Sequence, residues 1–171
     1  KVNIMQECIL IVDFGSQYTQ LIARRIREES FYCEVYPFNK ITQKLIKNIN
    51  IQGIILSGGP NSVMDNSAPK LPKILLNLNI PILGICYGLQ VLTKSYGGSI
   101  KRSVLREYGH ANIKINKSSK LINKKWINKK TQVWMSHGDH VSKPPKDFVV
   151  IAKSNTKIIS IIENSKKNLY G

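Results

Sequence analysis

Short, continuously apolar runs alternate with stretches of helical spacing through the first half of the chain. The runs predict strands at residues 9–12, 33–38, 53–57 and 81–85. The stretches between them predict helices at about 18–28, 42–49 and 71–78, and one from about Leu89 to the glycines at 97–98. Strands that are apolar throughout are typical of a parallel sheet covered on both faces. The pattern therefore predicts an α/β fold: an open, mostly parallel sheet with helices on both faces.

The second half of the chain has a different pattern, with strands that follow one another without strong helices between most of them. These strands are predicted at residues 113–115, 132–135, 148–152 and 158–162. Antiparallel strands added to one edge of the parallel sheet are the simplest interpretation. The polar, Lys-rich segment 117–130 predicts an exposed excursion from the sheet.

Length and charge limit the possible functions. The chain has 171 residues, enough for one domain with a core, and its 26 basic and 10 acidic residues give a net charge of +16. Lys outnumbers Arg by 21 to 5 and is spread along the chain, whereas nucleic-acid sites favour Arg and interleaved aromatic residues. We therefore expect no nucleic-acid function and attribute most of the charge to the composition of an A+T-rich genome. Steering of an anionic partner stays open.

The cysteines and the apolar runs point to a reduced compartment. Cys8, Cys33 and Cys86 are too few for a disulfide scaffold and lack the spacing of a zinc site. No run approaches the roughly 18–20 apolar residues of a membrane-spanning helix, and the sequence shows no long apolar signal core. We expect a cytoplasmic enzyme or binding domain with no metal site and no membrane partner, in which Cys8 and Cys33 only pack.

The strongest chemical signal is Cys86, which stands between two glycines in the segment Gly84-Ile85-Cys86-Tyr87-Gly88. This segment joins a buried strand to a helix, as in the strained turn that presents a nucleophile above an α/β sheet. The positive end of the following helix would favour the thiolate, which is the reactive form of cysteine. We therefore predict that Cys86 is a nucleophile.

Two more segments lie where ligands bind in such sheets. Residues 57–60, Ser-Gly-Gly-Pro, follow the third strand, and the backbone amides of Gly59 and Tyr87 could form an oxyanion hole beside Cys86. Residues 15–17 follow the first strand and are expected to cap the next helix rather than to bind phosphate, because no phosphate-loop pattern is present.

A general base for Cys86 is the remaining requirement, and histidine is the usual choice. By spacing alone, any of His110, His137 and His140 could serve. Two of these lie in residues 134–140, Trp-Met-Ser-His-Gly-Asp-His, which we interpret as a polar turn after a strand.

Several motifs in this order resemble one family. They are residues 13–21 (Asp-Phe-Gly-Ser-Gln-Tyr-Thr-Gln-Leu), 56–60, 84–90 (Gly-Ile-Cys-Tyr-Gly-Leu-Gln), 106–109 (Arg-Glu-Tyr-Gly) and 134–139. The chain resembles the class I glutamine amidotransferases, which have a flavodoxin-like fold, and among them the glutaminase domains of GMP synthases. The match covers residues 9–171, and residues 1–8 are expected to form an N-terminal extension.

The resemblance implies that Cys86 attacks the side-chain amide of glutamine, forms a thioester and releases ammonia for the amination of XMP to GMP in purine biosynthesis. It places Gln90, Ser136, Gly138 and Asp139 in the glutamine pocket. ATP and magnesium would belong to an ATP-pyrophosphatase (synthetase) domain in the same or another chain, and the full enzyme is expected to be a homodimer. No cofactor is implied for the glutaminase domain itself.

The catalytic His and Glu of the family follow a strand that ends in Tyr-Gly, and here Tyr170-Gly171 are the last residues of the sequence. The resemblance implies that both catalytic residues lie beyond Gly171 and that the sequence lacks the synthetase domain. We expect the chain by itself to be almost inactive. Two alternatives stay open: an amidotransferase subunit of another synthase, and a catalytically silent regulatory partner with the same fold.

Overall fold

The structure, a computed structural model, describes residues 5–171 without the side chains of residues 103–107 and of His137. It contains nine strands: β1 (Glu7–Asp13), β2 (Cys33–Pro37), β3 (Asn50–Leu56), β4 (Ile82–Gly84), β5 (Ser99–Ile115), β6 (Lys130–Lys143), β7 (Val149–Ser154), β8 (Ile159–Asn164) and β9 (Leu169–Tyr170). The α-helices are α1 (Thr19–Glu28), α2 (Gln43–Lys47), α3 (Lys73–Leu76) and α4 (Tyr87–Ser95), and 3₁₀ turns lie at Phe38–Lys40 and Lys124–Trp126. None of the described helices is long and apolar enough to cross a membrane.

The strands form one mixed sheet in the order β2-β1-β3-β4-β9-β8-β6-β5-β7. The first five are parallel, and β8, β6, β5 and β7 pair antiparallel beyond them. This confirms the predicted parallel sheet with antiparallel strands at one edge. Strand β1 begins at Glu7, inside the expected extension 1–8, because Glu7 pairs with Asn50 of β3; residues 1–4 lie outside the described residues.

Helices cover both faces of the parallel strands, as predicted. Helix α1 packs Ala23 against Ile11 and Cys33 on one face, and a larger core on the other face includes Leu56, Ile82 and Leu92. Cys8 and Cys33 are buried, as expected. On α1 the buried residues are Thr19 and Ala23, whereas Tyr18 and Leu21 are about half exposed. The inner face of α1 is thus formed by small side chains together with the partly buried Ile22 and Ile26.

The antiparallel strands have a core of their own. Strand β8 pairs with both β6 and β7, so that β5, β6, β8 and β7 form a closed ring of pairings. Apolar side chains from Ile113, Ile115, Ile151 and Ala152 pack inside this ring. Most of segment 117–130 is exposed, as predicted, but Ile122 and Ile127 pack against this core.

Two local predictions are wrong. Residues 134–140 are not a turn but lie within β6, where they pair with the second long strand of the hairpin, β5. Val133 and Met135 face the ring, and exposed residues alternate with them. A strand with one solvent-exposed face has a polar pattern that resembles a turn. Helix α4 begins at Tyr87 rather than at Leu89, because Cys86 is already its N-cap.

Candidate active site

Cys86 stands at a strained turn between β4 and α4. Its backbone has φ 52° and ψ −109°, which non-glycine residues rarely adopt. The glycines on either side make this turn possible. A Cβ on Gly84 would lie 2.5 Å from the carbonyl oxygen of Gly88, and one on Gly88 would lie 2.2 Å from that of Leu56. This geometry is the tight turn that the sequence predicted.

The Cys86 thiol is half-buried, and its surroundings act on its pKa in opposite directions. Burial raises the pKa above the ordinary value for cysteine, while a hydrogen bond with the backbone of Ser136 lowers it by a smaller amount. The expected influence of the helix end on the thiolate stays a prediction, because burial and the Ser136 hydrogen bond are the two influences seen here. A thiol whose pKa is raised by burial needs a base that removes its proton before it can act as a nucleophile.

Gly59 and Tyr87, the expected oxyanion-hole residues, are both held by packing. A Cβ on Gly59 would lie 2.6 Å from the carbonyl oxygen of Phe14, so only glycine fits there. Tyr87 is the first residue of α4, and its backbone N–H therefore has no acceptor within the helix. The Tyr87 ring packs on the Phe14 ring with centroids 5.3 Å apart, and its hydroxyl donates to the carbonyl of Pro69.

Side chains of the first and third strands hold these loops together. The Ser57 hydroxyl accepts a hydrogen bond from the Phe14 amide (3.0 Å) and donates to the Gly58 carbonyl (2.8 Å). Asp13 accepts from the Gly15 amide at 2.9 Å and from the Thr19 hydroxyl at 2.8 Å. The segment 15–17 is thus a turn built around Asp13, and Tyr18, rather than a residue of that segment, is the N-cap of α1.

A polar cavity of about 590 Å³ opens beside the turn at Cys86. Six predicted site residues line it: Gly59, Tyr87, Gln90, Ser136, Gly138 and Asp139. Six more were not predicted: Pro60, Asn61, Ser62, Asp65, Arg102 and Tyr108. Cys86 itself is not among the residues that line the cavity, but it precedes the lining residue Tyr87 in the chain and is hydrogen-bonded to the backbone of Ser136, which also lines it. The structure therefore brings the predicted pocket residues together around one space.

Asp139 joins three elements at the wall of this cavity. Its backbone carbonyl accepts a hydrogen bond from Gln90 Nε2 at 2.9 Å, and its carboxylate accepts one from the Ser62 hydroxyl. Both Asp139 and Gln90 are buried. Nearby, the Arg102 guanidinium pairs with the Asp65 carboxylate at 2.6 Å and links β5 to the loop after β3. The loop residues Ser62 and Asp65 and the strand residue Arg102 fit no sequence motif, and only their position reveals them.

Neither of the two histidines whose side chains are described lines the cavity. His110 is exposed and packs edge-on against Trp134 with centroids 5.1 Å apart. His140 pairs with Lys101 across the hairpin, and its buried Nδ1 has no hydrogen-bond partner among the described atoms. The side chain of His137, like those of Arg106 and Glu107 in the fourth motif, lies outside the described part of the chain.

Strand β9 runs parallel to β4, with Leu83 opposite Tyr170. The carboxyl ends of these two neighbouring strands thus meet at the edge of the sheet where Cys86 lies. A residue that follows β9 would enter the site from this side.

The fold, the strained turn at Cys86 and the adjoining polar cavity are typical of an α/β enzyme, and the family comparison gives the class. Residues 10–171 match the model of the family described as glutamine amidotransferase class-I, and the chain therefore belongs to that family. This confirms the resemblance seen in the sequence.

The similar curated proteins are called "GMP synthase [glutamine-hydrolyzing]". The one from Caldanaerobacter subterraneus subsp. tengcongensis is 48% identical over 169 residues, which are 99% of this chain and 32% of that protein. The one from Ruminiclostridium cellulolyticum is 48% identical over 164 residues, 96% of this chain and 32% of that protein. The chain thus spans about a third of the length of these relatives.

Two solved structures show the same fold. A protein from Thermoplasma acidophilum, described as one of the subunits of a GMP synthase, superposes with a TM-score of 0.78 at 24% identity, covering 97% of this chain and 81% of that chain. A glutamine amidotransferase from Thermotoga maritima gives 0.74 at 18% identity, covering 97% and 74%.

Proposed function

We propose that this domain hydrolyses glutamine through a Cys86 thioester and supplies the ammonia for amination of XMP to GMP by a synthetase part. The observation that carries the proposal is the strained Cys86 turn beside a polar cavity. A protein without catalysis has no use for a nucleophile held at positive φ, because such strain costs roughly 1–3 kcal/mol. Family membership and the names of the relatives support the choice of substrate.

The chemistry has two balanced steps. The Cys86 sulfur attacks the side-chain carbonyl carbon of glutamine, and the backbone N–H groups of Gly59 and Tyr87 stabilise the resulting oxyanion. The intermediate collapses, the C–N bond breaks, and ammonia leaves with a proton from the general acid. Water then attacks the thioester, which gives glutamate and returns the thiol.

We propose that the general acid–base His and its partner Glu are supplied by residues that follow Gly171. Strand β9 delivers the chain to the carboxyl end of β4, next to Cys86, which supports this direction of approach. Neither His110 nor His140 lines the cavity, so neither is favoured as the base.

The cavity wall supplies the binding groups. Gln90, Ser136, Gly138 and Asp139 orient the α-amino and α-carboxylate groups of glutamine in this proposal, and the polar cavity of about 590 Å³ gives room for that substrate. ATP and magnesium act in the synthetase part, the full enzyme is a homodimer, and it works in the cytoplasm. These last points rest on the resemblance alone.

The test measures two activities of the enzyme that contains this domain, the segment after β9 and the synthetase part. Glutamine should give glutamate in the presence of XMP and ATP, with GMP as the second product. Cys86→Ala should lower GMP formation from glutamine at least about a thousandfold. It should leave GMP formation from ammonium salts unchanged, because added ammonia bypasses the thioester.

Cys33→Ala is the matched control, since Cys33 is buried against α1 and lies away from the cavity. Both of its rates should stay within about twofold of wild type. Glutamine turnover that survives Cys86→Ala would contradict the assignment of the nucleophile. A wild-type enzyme that hydrolyses glutamine but aminates an acceptor other than XMP would assign the domain to another synthase.

A further inference from the structure

The outward-facing side of the β5–β6 hairpin carries a row of exposed side chains that starts at the cavity. The register places Tyr108 opposite Ser136 and His110 opposite Trp134. Residues directly opposite each other on antiparallel strands share a face of the sheet. All four are exposed, whereas Val133, the neighbour of Trp134, packs into the core of the ring.

Large aromatic residues occupy this row where an exposed sheet face ordinarily carries polar ones. Tyr108 is 63% exposed and Trp134 is 58% exposed. Tyr108 also lines both the catalytic cavity and a smaller depression of about 300 Å³ that contains His110. Tyr and Trp are enriched at the centres of protein interfaces because they bury much area with few rotatable bonds.

Three lysines continue the row away from the cavity. Lys114 of β5 lies opposite Lys130 of β6 and opposite Lys153 of β7, and all three are exposed. Like charges directly opposite each other destabilise a sheet. None of the ion pairs found among the described side chains includes any of these lysines. A surface with carboxylates placed against them would remove this repulsion.

We propose that this outer face, formed by Tyr108, His110, Trp134, Lys114, Lys130 and Lys153, is the docking surface for the synthetase part of the enzyme. The inference rests on the proposed function and adds the place of contact. The matching surface of the synthetase part presents apolar groups to Trp134 and acidic groups to the lysines.

The position of the outer face next to the cavity favours this occupant. Ammonia that escapes into neutral water is protonated and loses its nucleophilic electron pair. The synthetase part must therefore receive it at the mouth of the cavity, and the outer face begins at that mouth with Tyr108. In the relatives called GMP synthase, about two-thirds of the length lies outside the part that matches this chain. That length is enough for a separate synthetase part.

The two tryptophans provide a matched pair of variants. Trp134 lies on the outer face, whereas Trp126, 48% exposed, lies in the 3₁₀ turn of segment 117–130. In the complete enzyme, Trp134→Ser should lower GMP formation from glutamine at least about tenfold and raise the ratio of glutamate to GMP at least about threefold. GMP formation from ammonium salts should stay within about twofold. Trp126→Ser should leave all three measurements within about twofold.

A charge-reversal variant tests the other end of the outer face. It changes exposed side chains only, so its effect does not depend on packing in the core. Lys114→Glu, Lys130→Glu and Lys153→Glu combined should uncouple the two reactions in the same way. Its effect should be largest at low salt, because screening weakens contacts between charged surfaces. This variant also replaces Trp134→Ser if the latter melts below the assay temperature.

Three outcomes overturn or redirect the proposal. Equal behaviour of Trp134→Ser and Trp126→Ser, with a charge-reversal variant that stays coupled, would remove the outer face from docking. Binding of single-stranded RNA at physiological salt that is lost in Trp134→Ser would assign the outer face to nucleic acid instead. A wild-type enzyme that forms GMP from ammonium salts but not from glutamine would instead contradict the proposed function, and this result is distinct from uncoupling.

Discussion

The parallel half of the sheet, β1–β4 with β9, and the antiparallel half, β5–β8, build the site in different ways. The parallel half presents Gly59 on a loop and Cys86 and Tyr87 at the start of α4, in both cases just beyond the carboxyl end of a strand. The antiparallel half supplies Ser136 and Asp139 from within a long strand. Loop geometry therefore fixes the groups assigned to bond making, whereas side-chain alternation along a strand builds the opposite wall of the cavity.

This difference predicts unequal tolerance of substitution. In the parallel half, a Cβ on Gly88 would lie 2.2 Å from the Leu56 carbonyl oxygen, so backbone must move. We expect Gly88→Ala to lower the free energy of unfolding by about 3 kcal/mol and to abolish glutamine turnover, because the turn at Cys86 opens. Urea denaturation and a glutaminase assay measure the two effects.

Gly109 is the matched position in the antiparallel half. Its φ is 95°, but a Cβ there would meet none of the described atoms within 4 Å. Gly109→Ala should therefore cost only the backbone strain of roughly 1–2 kcal/mol. Equal losses for both alanine variants would show that the two halves respond alike and would contradict the comparison.

The sequence predicted the parallel half better than the antiparallel half, for a physical reason. Apolar runs bounded by glycine identify buried parallel strands, and the Gly84–Gly88 segment marks the strained turn at Cys86, so both follow from local pattern. In the first half of β6 exposed and partly buried positions alternate, and the polar residues around Ser136 resemble a turn when no partner strand is known. Ser62 and Arg102 reach the cavity only through tertiary contacts, and these leave no trace in local spacing.

The three cysteines of the parallel half should differ strongly in reactivity. Cys86 is partly exposed, whereas Cys8 is only 1% exposed and its burial raises its pKa to about 11. Brief treatment with iodoacetamide at pH 8 should label Cys86 at least about tenfold faster than Cys8 or Cys33, as quantified by mass spectrometry.

The pH dependence of this labelling distinguishes two effects on the pKa of Cys86: burial, which raises it, and the helix end, which is expected to lower it. Because burial raises the pKa of Cys86, the thiolate fraction at neutral pH is small and should increase with pH. The labelling rate should therefore increase about tenfold per pH unit from neutral pH up to the pKa and then level off. A rate that is already constant below pH 8 would show a lowered pKa and favour activation by the helix end.

Asp139 tests the wall that the antiparallel half contributes. Its carboxylate accepts a hydrogen bond from Ser62, and by its negative charge we expect it to contact the α-ammonium group of glutamine. Asp139→Asn keeps the size but removes the charge, so KM for glutamine should increase about tenfold with little change in kcat. Ser62→Ala removes only the internal hydrogen bond and should raise KM about twofold. A similar increase for both variants would show that Asp139 only holds the loop.

The smallest expected effect concerns the ion pair that connects the two halves. Arg102 of β5 pairs with Asp65, and the side chains are 68% and 44% exposed, while Arg24 pairs with Glu28 on α1 with 75% and 41% exposed. Exposed pairs contribute roughly 0–1 kcal/mol, so Arg102→Ala and Arg24→Ala should each change the free energy of unfolding by less than about 1 kcal/mol.

Of these two arginines, only Arg102 lines the cavity. Arg102→Ala should therefore raise KM for glutamine about threefold, because the loop after β3 loses its tie to β5, whereas Arg24→Ala should leave KM unchanged. Steady-state kinetics of the two variants at the same salt concentration measure the difference, and equal KM values would mean that the link between the halves does not shape the cavity.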